Sequence, residues 1–295
     1  MALSGAIVLG GGLSCASVAP AAARPAPRAA APAAPADAVC SAGTQDVAGR
    51  GARWSDTGTL TLADGKSLVP EGIALPTRLW PDTAMLARAA DAAASVLEGC
   101  TVAPASAALD RHGRLVGAAG LACPMAEPTR REDLATALAR AGAGYATADG
   151  DAACAAQRLA AEAEARLARR GIWSLGAAIA PAGDQRAMEE RLGLYTVAEG
   201  RVLAVGGRDQ VFLNFGSSWK QDFTVMLARE DFATILGDRL DPAILRGSLI
   251  QVRGVVREEG GPAMAPRRRG EVLRIEGEAE ARPDGQALPS RRRER

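Results

Sequence analysis

The chain has 295 residues, 48% of them hydrophobic and 23% charged, and 35 Lys+Arg against 34 Asp+Glu leave a formal charge of +1. That length suits about two domains of ordinary globular material, and the charge balance excludes a polybasic protein that holds nucleic acid by bulk charge. The single histidine, His112, removes most histidine-based metal sites and would have to serve in any Ser-His-Asp triad.

The uncharged stretch 2–23 is diluted by Gly, Ser and Ala, so it does not read as a membrane span. It resembles a secretory apolar region followed by small residues at Ala21, Ala22 and Ala23, although no Lys or Arg precedes it. The expectation is a signal peptide over 1–23 and an exported, periplasmic or envelope-associated protein. Cys15 fits an ordinary cysteine of that apolar region better than a lipoprotein site, because Gly12 stands where a branched aliphatic residue is wanted. Residues 24–40 are a Pro/Ala linker of extended, polyproline-prone character. With the signal removed, Cys40, Cys100, Cys123 and Cys154 remain, without Cys-x-x-Cys or a His cluster, so zinc is not expected.

Residues 41–175 read as strands, a helix, a hairpin and two helices. Thr59 to Leu62 and Ser67 to Leu75 flank Asp64-Gly65 as a hairpin. A helix starts at Pro81-Asp82, with apolar positions Met85/Leu86, Ala89/Ala90, Ala93 and Val96/Leu97, and ends at Gly99. Thr101 to Leu109 and Leu115 to Leu121 flank the turn Asp110 to Arg114. Thr129 with Glu132 three residues on reads as a capping box, and Asp151 opens a further helix through Arg170, closed by Gly171.

After a mixed connector, 176–193, a second unit over 194–277 carries strands Tyr195 to Val205, Val211 to Phe215 and Phe223 to Ala228. A short helix, Asp231 to Leu236, then strands Leu249 to Arg257 and Val272 to Ile275 complete it. Five short strands with one helix between the third and fourth is an OB-type layout. The tail, 278–295, is basic and is expected to be disordered. The predicted class is mainly β with α (α+β), as two tandem OB-type barrels.

Four stretches carry a family likeness: 56–65 (DTGTLTLADG), 68–77 (LVPEGIALPT), 110–114 (DRHGR) and 161–173 (AEAEARLARRGIW). Together they resemble the thermonuclease (micrococcal-nuclease-like) family, whose members carry an OB barrel followed by helices. The likeness covers about half the chain. The resemblance implies a Ca²⁺ centre built from two Asp and a carbonyl, a Glu that activates water, and two Arg that clamp phosphate. In this chain Gly58 and Ala74 stand at the Asp positions, Thr77 at the Glu and Val69 at the first Arg; Arg114 alone is retained. Asp56, Glu71 and Asp82 are the neighbouring carboxylates. The chain is therefore expected to be a non-catalytic, pseudo-nuclease binding or scaffold protein of the cell envelope, without cofactor. The alternative is an active metal-dependent nuclease or phosphodiesterase, with Ca²⁺ and nucleic acid as its partners. For Arg114 the simplest role is a surface pair with Asp110, and for His112 a solvated turn residue.

The second unit resembles the C-terminal OB-like extension of exported members of that family. All four phenylalanines, 212, 215, 223 and 232, and Trp219 lie within it. Phe212, Phe223 and Phe232 are expected to fill the core, while Phe215 and Trp219, at a loop, are the candidate ligand face. Residues 194–277 hold 12 basic and 11 acidic side chains, which argues against strong nucleic-acid binding and for an envelope protein or polymer as partner. A monomer is expected.

Cysteine pairing follows from the second hairpin. Its turn centres on His112, so facing residues have numbers that sum to about 224, and those of Cys100 and Cys123 sum to 223. The pair Cys100–Cys123 leaves Cys40–Cys154. Four free thiols are the competing expectation, and they follow if the chain is cytosolic.

Overall fold

Asp64-Gly65 makes the expected tight reversal between Leu62 and Ser67. Gly65 takes φ +83, the left-handed region glycine enters without penalty, and Lys66 N–H donates to Asp64 Oδ1 at 3.2 Å. The computed structural model describes Cys40 and residues 51–105, 107–124, 130–218, 221–236 and 242–275. The signal-peptide, linker and tail assignments, Thr129 and Trp219 lie outside the described residues, Cys40 excepted.

The fold is α+β. The first half contains β1 (Ala52–Ser55), β2 (Thr59–Leu62), β3 (Ser67–Pro70) and β4 (Ile73–Ala74), then α1 (Thr83–Leu97). Next come β5 (Thr101–Pro104), β6 (Ala108–Leu109), β7 (Leu115–Gly117), β8 (Ala119–Cys123) and β9 (Arg130–Asp133). The helices α2 (Leu134–Ala141) and α3 (Ala152–Leu167) flank β10 (Tyr145–Ala146). The connector is ordered: two 3-10 turns lead to β11 (Ala180–Pro181) and α4 (Gln185–Glu189). The second half comprises β12 (Tyr195–Arg201), β13 (Ala204–Gly206), β14 (Gln210–Asn214) and β15 (Thr224–Ala228), then α5 (Arg229–Leu236). It closes with β16 (Leu249–Val255), β17 (Arg257–Glu258), β18 (Pro262–Met264) and β19 (Val272–Ile275).

One pairing scheme occurs twice. The first half has a five-stranded sheet in the order β1-β2-β3-β7-β6, and the second has one in the order β13-β14-β15-β18-β17. In both, the third strand meets the fourth in parallel, β3 with β7 and β15 with β18, and the other pairs are antiparallel. A helix follows the third strand region in each half, α1 and α5. In the second half β12 also pairs with β16, along seven residues from Tyr195↔Val255 to Arg201↔Leu249. Their chain continuations, β13 and β17, lie at opposite edges of the five-stranded sheet.

The helices start where short acceptors can cap them. Asp82 Oδ1 accepts from Ala84 N–H at 2.8 Å, and of the expected apolar positions Met85, Ala89, Ala93, Val96 and Leu97 are buried while Leu86 and Ala90 are half-buried. Asp151 caps α3 through Ala153 and Cys154. The start of α2 differs from the expected capping box. Arg130–Asp133 pairs with β8 as a strand, Cys123↔Arg130 to Gly120↔Asp133, and Asp133 is the cap, accepting from Thr136 N–H at 2.9 Å. The strand satisfies the backbone groups along the open side of β8, which a helix started at Thr129 would leave unpaired. Glu132 instead pairs with Arg140 at 2.5 Å.

The second hairpin shifts register within itself. Ala108↔Val116 and Leu109↔Leu115 sum to 224, whereas Thr101↔Ala122 through Pro104↔Ala119 sum to 223. That shift seats Cys100 opposite Cys123, and the two form a disulfide with Cα atoms 4.2 Å apart. A second disulfide joins Cys40 to Cys154 across 114 residues.

The described residues pack as one unit around three apolar clusters. One lies against the first sheet and α2 (Leu60, Leu68, Val102, Leu121, Leu134, Leu138), and one inside the second half (Leu213, Phe223, Val225, Leu227, Ile250, Val252). The third joins the halves: Trp80, Met85, Tyr145, Ile172 and Trp173 pack with Leu194 and Val197. Tyr145 stacks on Trp80 and meets Trp173 edge-on, both at 5.4 Å, and its hydroxyl donates to Ala178 O at 2.8 Å. Burial pushes its phenol pKa up.

Candidate functional site

Gly58 sits in the turn between β1 and β2 at φ +75, its N–H donating to Ser55 O at 3.0 Å. A Cβ there would lie 2.7 Å from Thr77 Cγ2 and 3.1 Å from Leu75 O. The corner that the family likeness marks as a carboxylate position is thus filled by the Thr77 methyl group and backbone. Ala74, in β4, pairs with Tyr145, and the backbone at Gly144 comes so close that a Cβ there would lie 2.5 Å from Ala74 O. Val69 is an ordinary strand residue, level with Val116 in β7.

The neighbouring carboxylates are dispersed. Asp82 is engaged as the α1 cap, Glu71 lies against Gly150, and Asp56 is on the β1–β2 turn. Among the described residues no group of three His, Cys, Asp or Glu side chains is close enough to hold a metal ion.

Arg114 stands apart from that corner. Antiparallel pairing puts Gly58 at the Pro70 end of β3, whereas the parallel register Leu68↔Leu115 puts Arg114 level with Ser67. Three strand residues, about 10 Å, separate the two levels. Arg114 is held by Asp110: Nε and Nη2 both reach Oδ2 at 2.7 Å. Oδ1 accepts the His112 and Arg114 backbone N–H groups at 2.8 and 2.9 Å. The Arg114 N–H, then its guanidinium and the His112 N–H, outweigh desolvation and lower the Asp110 pKa to about 2. His112 is exposed and accepts from Arg111 Nε at 3.0 Å.

The aromatic expectation needs correction. Phe215 is buried, 3% exposed, and packs on Phe223 with ring centroids 5.3 Å apart. The ladder continues one step past Asn214, the last residue of β14, with Phe215 N–H donating to Phe223 O at 3.3 Å. With a period of two, Val211, Leu213 and Phe215 face inward and Phe212 faces outward, half-buried. Gly200 makes room for the Phe215 ring, which a Cβ would meet at 2.9 Å. Phe223 and Phe232 are core residues as expected, whereas Phe212, expected with them, is not.

Two features escape a linear reading. Arg158 and Glu162 lie on the buried face of α3, beside Ala155, Ala161 and Ala165. Arg158 Nε donates to Asp133 Oδ2 at 3.2 Å and its Nη1 to Asp149 O at 2.9 Å. Glu162 receives Arg253 Nη2 at 2.9 Å and the Ala146 N–H at 2.7 Å. Burial opposes the charge of Arg253 most strongly, but Glu162, together with Tyr195 and Glu271, outweighs it and the guanidinium pKa is raised. Charged residues at helical spacing on an otherwise alanine stripe were the available signal. The second feature is a cleft between α1, α2 and the end of α3, lined by Arg88, Arg140, Arg169 and Arg170.

No family model matches this chain, and no curated protein matches it.

Proposed function

We propose that the chain is an exported, thermonuclease-like protein of two OB-type units in tandem, which binds a partner in the cell envelope and does not cleave nucleic acid. The Gly58–Thr77 contact carries the reading. It fills the corner where the family likeness calls for a metal-binding carboxylate, so a side chain at 58 could enter only if Thr77 moved. A hard cation such as Ca²⁺ needs several oxygen ligands at about 2.3–2.6 Å, and among the described residues no three His, Cys, Asp or Glu side chains come together to supply them.

The OB assignment is supported by the recurrent order with its parallel third pair and following helix. Export is supported by two disulfides, which persist in oxidising compartments. Among the described residues no helix is long and apolar enough to cross a membrane.

The test is a cleavage assay of single-stranded DNA and of RNA with the purified oxidised chain and Ca²⁺, with and without chelator. Background rates in both arms are expected. Chelator-sensitive cleavage that copurifies with the protein would overturn the reading.

A further inference from the structure

The cleft beside α1 has a volume of about 580 Å³ and is open to solvent. Its four arginines face two carboxylates, Asp91 and Glu132, so the lining carries a formal charge of +2. Two of the arginines have work within the fold. Arg140 pairs with Glu132 at 2.5 Å and Glu164 at 3.9 Å, and Arg170 Nη1 donates to Arg140 O at 3.3 Å. Arg88 and Arg169 are exposed and make no ion pair among the described residues. The hydroxyls of Ser95 and Ser174 already donate, to Ala92 O and Gly171 O at 2.8 Å each. Recognition in the cleft therefore falls to guanidinium groups.

Arg169 is held at a backbone cost. The end of α3 is a Schellman arrangement, with Arg169 N–H donating to Arg166 O at 3.1 Å and Arg170 N–H to Ala165 O at 2.9 Å. That arrangement places Arg169 at φ +52, and among the described residues it is the one non-glycine residue at positive φ. The left-handed region is unfavourable for any residue with a Cβ. α2 closes with glycine in the left-handed position, Gly142 at φ +74. Glycine would serve the backbone at 169 with less strain; arginine there instead places an exposed guanidinium side chain on the cleft lining.

We propose that this cleft binds a doubly charged tetrahedral oxyanion of the phosphate-monoester class, clamped between Arg88 and Arg169. A dianion matches the lining charge, and guanidinium pairs phosphate oxygens through parallel hydrogen bonds. Ala92, Val96 and Ala137 offer apolar surface to the organic part of an ester. The assignment deepens the binding reading above, yet the cleft lies on other elements than the Gly58–Thr77 corner. Nucleic-acid cleavage would overturn that reading and leave this one standing.

The experiment is calorimetric titration of the oxidised full chain, at fixed ionic strength, with phenyl phosphate, inorganic phosphate and phenyl sulfate. Saturable binding of phenyl phosphate is expected, weaker binding of inorganic phosphate, and weakest binding of the singly charged sulfate ester. Arg169→Gly should weaken phenyl phosphate at least about tenfold while its melting temperature is unchanged or higher. Arg88→Gln, on a solvated helix face, should weaken binding similarly and guards against misfolding of the first variant. No saturation up to about 10 mM, equal affinity for phenyl sulfate, or wild-type affinity in both variants would overturn the proposal.

Discussion

Glu162 on α3 and Arg253 on β16 form an ion pair at 2.9 Å in which the side chains are 1% and 2% exposed. The pair is embedded rather than isolated. Ala146 donates its N–H to Glu162 and accepts from Arg253 Nη1 at 2.9 Å, and Gln251 Oε1 accepts from Arg253 Nη2 at 2.7 Å. The two halves of the chain are thus joined through charges that water does not reach. Removing one partner leaves the other charged and buried. Glu162→Ala is expected to cost about 3–5 kcal/mol, whereas replacing both residues by Met should cost less, what remains coming from the Ala146 N–H and Gln251 Oε1 left without these partners. Denaturant unfolding of the single and double variants checks this, and equal losses in both would show that packing, not charge, holds the joint.

The phenylalanines of the second half should separate by face. Phe223→Ala removes a fully buried ring and is expected to cost roughly 3–5 kcal/mol, with Phe215→Ala, its stacking partner, in the same range. Phe212→Ala, on the outer face of β14, should cost clearly less. Thermal unfolding ranks them, and a Phe212 loss as large as that of Phe223 would contradict the strand register.

The two disulfides close loops of very different length. In the chain-entropy model, the 114-residue separation of Cys40 and Cys154 corresponds to about 5 kcal/mol and the 23-residue separation of Cys100 and Cys123 to about 3 kcal/mol. Paired Cys→Ala variants compared by urea unfolding should follow that order.

Much of this fold was legible because its signals are local. The turn at Asp64-Gly65, the caps Asp82 and Asp151, and the symmetry of the second hairpin about His112 all act within a few residues. The misread elements depend on distant partners. Arg130–Asp133 is a strand because β8 presents an open side, and Phe215 is buried because Phe223 extends the ladder to it. Likewise the partners of Glu162 and Arg158 lie 91 and 25 residues away. Of the site residues, Arg114 and Asp110 could be paired from spacing alone. The arginine cleft could not, since it draws Arg88, Arg140 and Arg169 from three helical segments.

The Asp110 carboxylate offers a pH readout. Its folded pKa is lowered to about 2 from an ordinary 3.8, so its contribution to the turn is complete above the ordinary value and lost as pH falls through about 2. The carboxyl carbon shift followed by NMR should titrate near 2, and Arg114→Ala should move the midpoint up toward 3.8. An unchanged midpoint would show that Arg114 is not part of the turn's electrostatics.

The proposed binding role without cleavage requires that the Gly58–Thr77 corner hold no metal ion, and Ca²⁺ affinity tests this most directly. Calorimetric titration of Ca²⁺ into the oxidised chain is predicted to show no saturable binding up to about 10 mM. A stoichiometric Ca²⁺ site that is lost in Asp56→Asn would contradict the account.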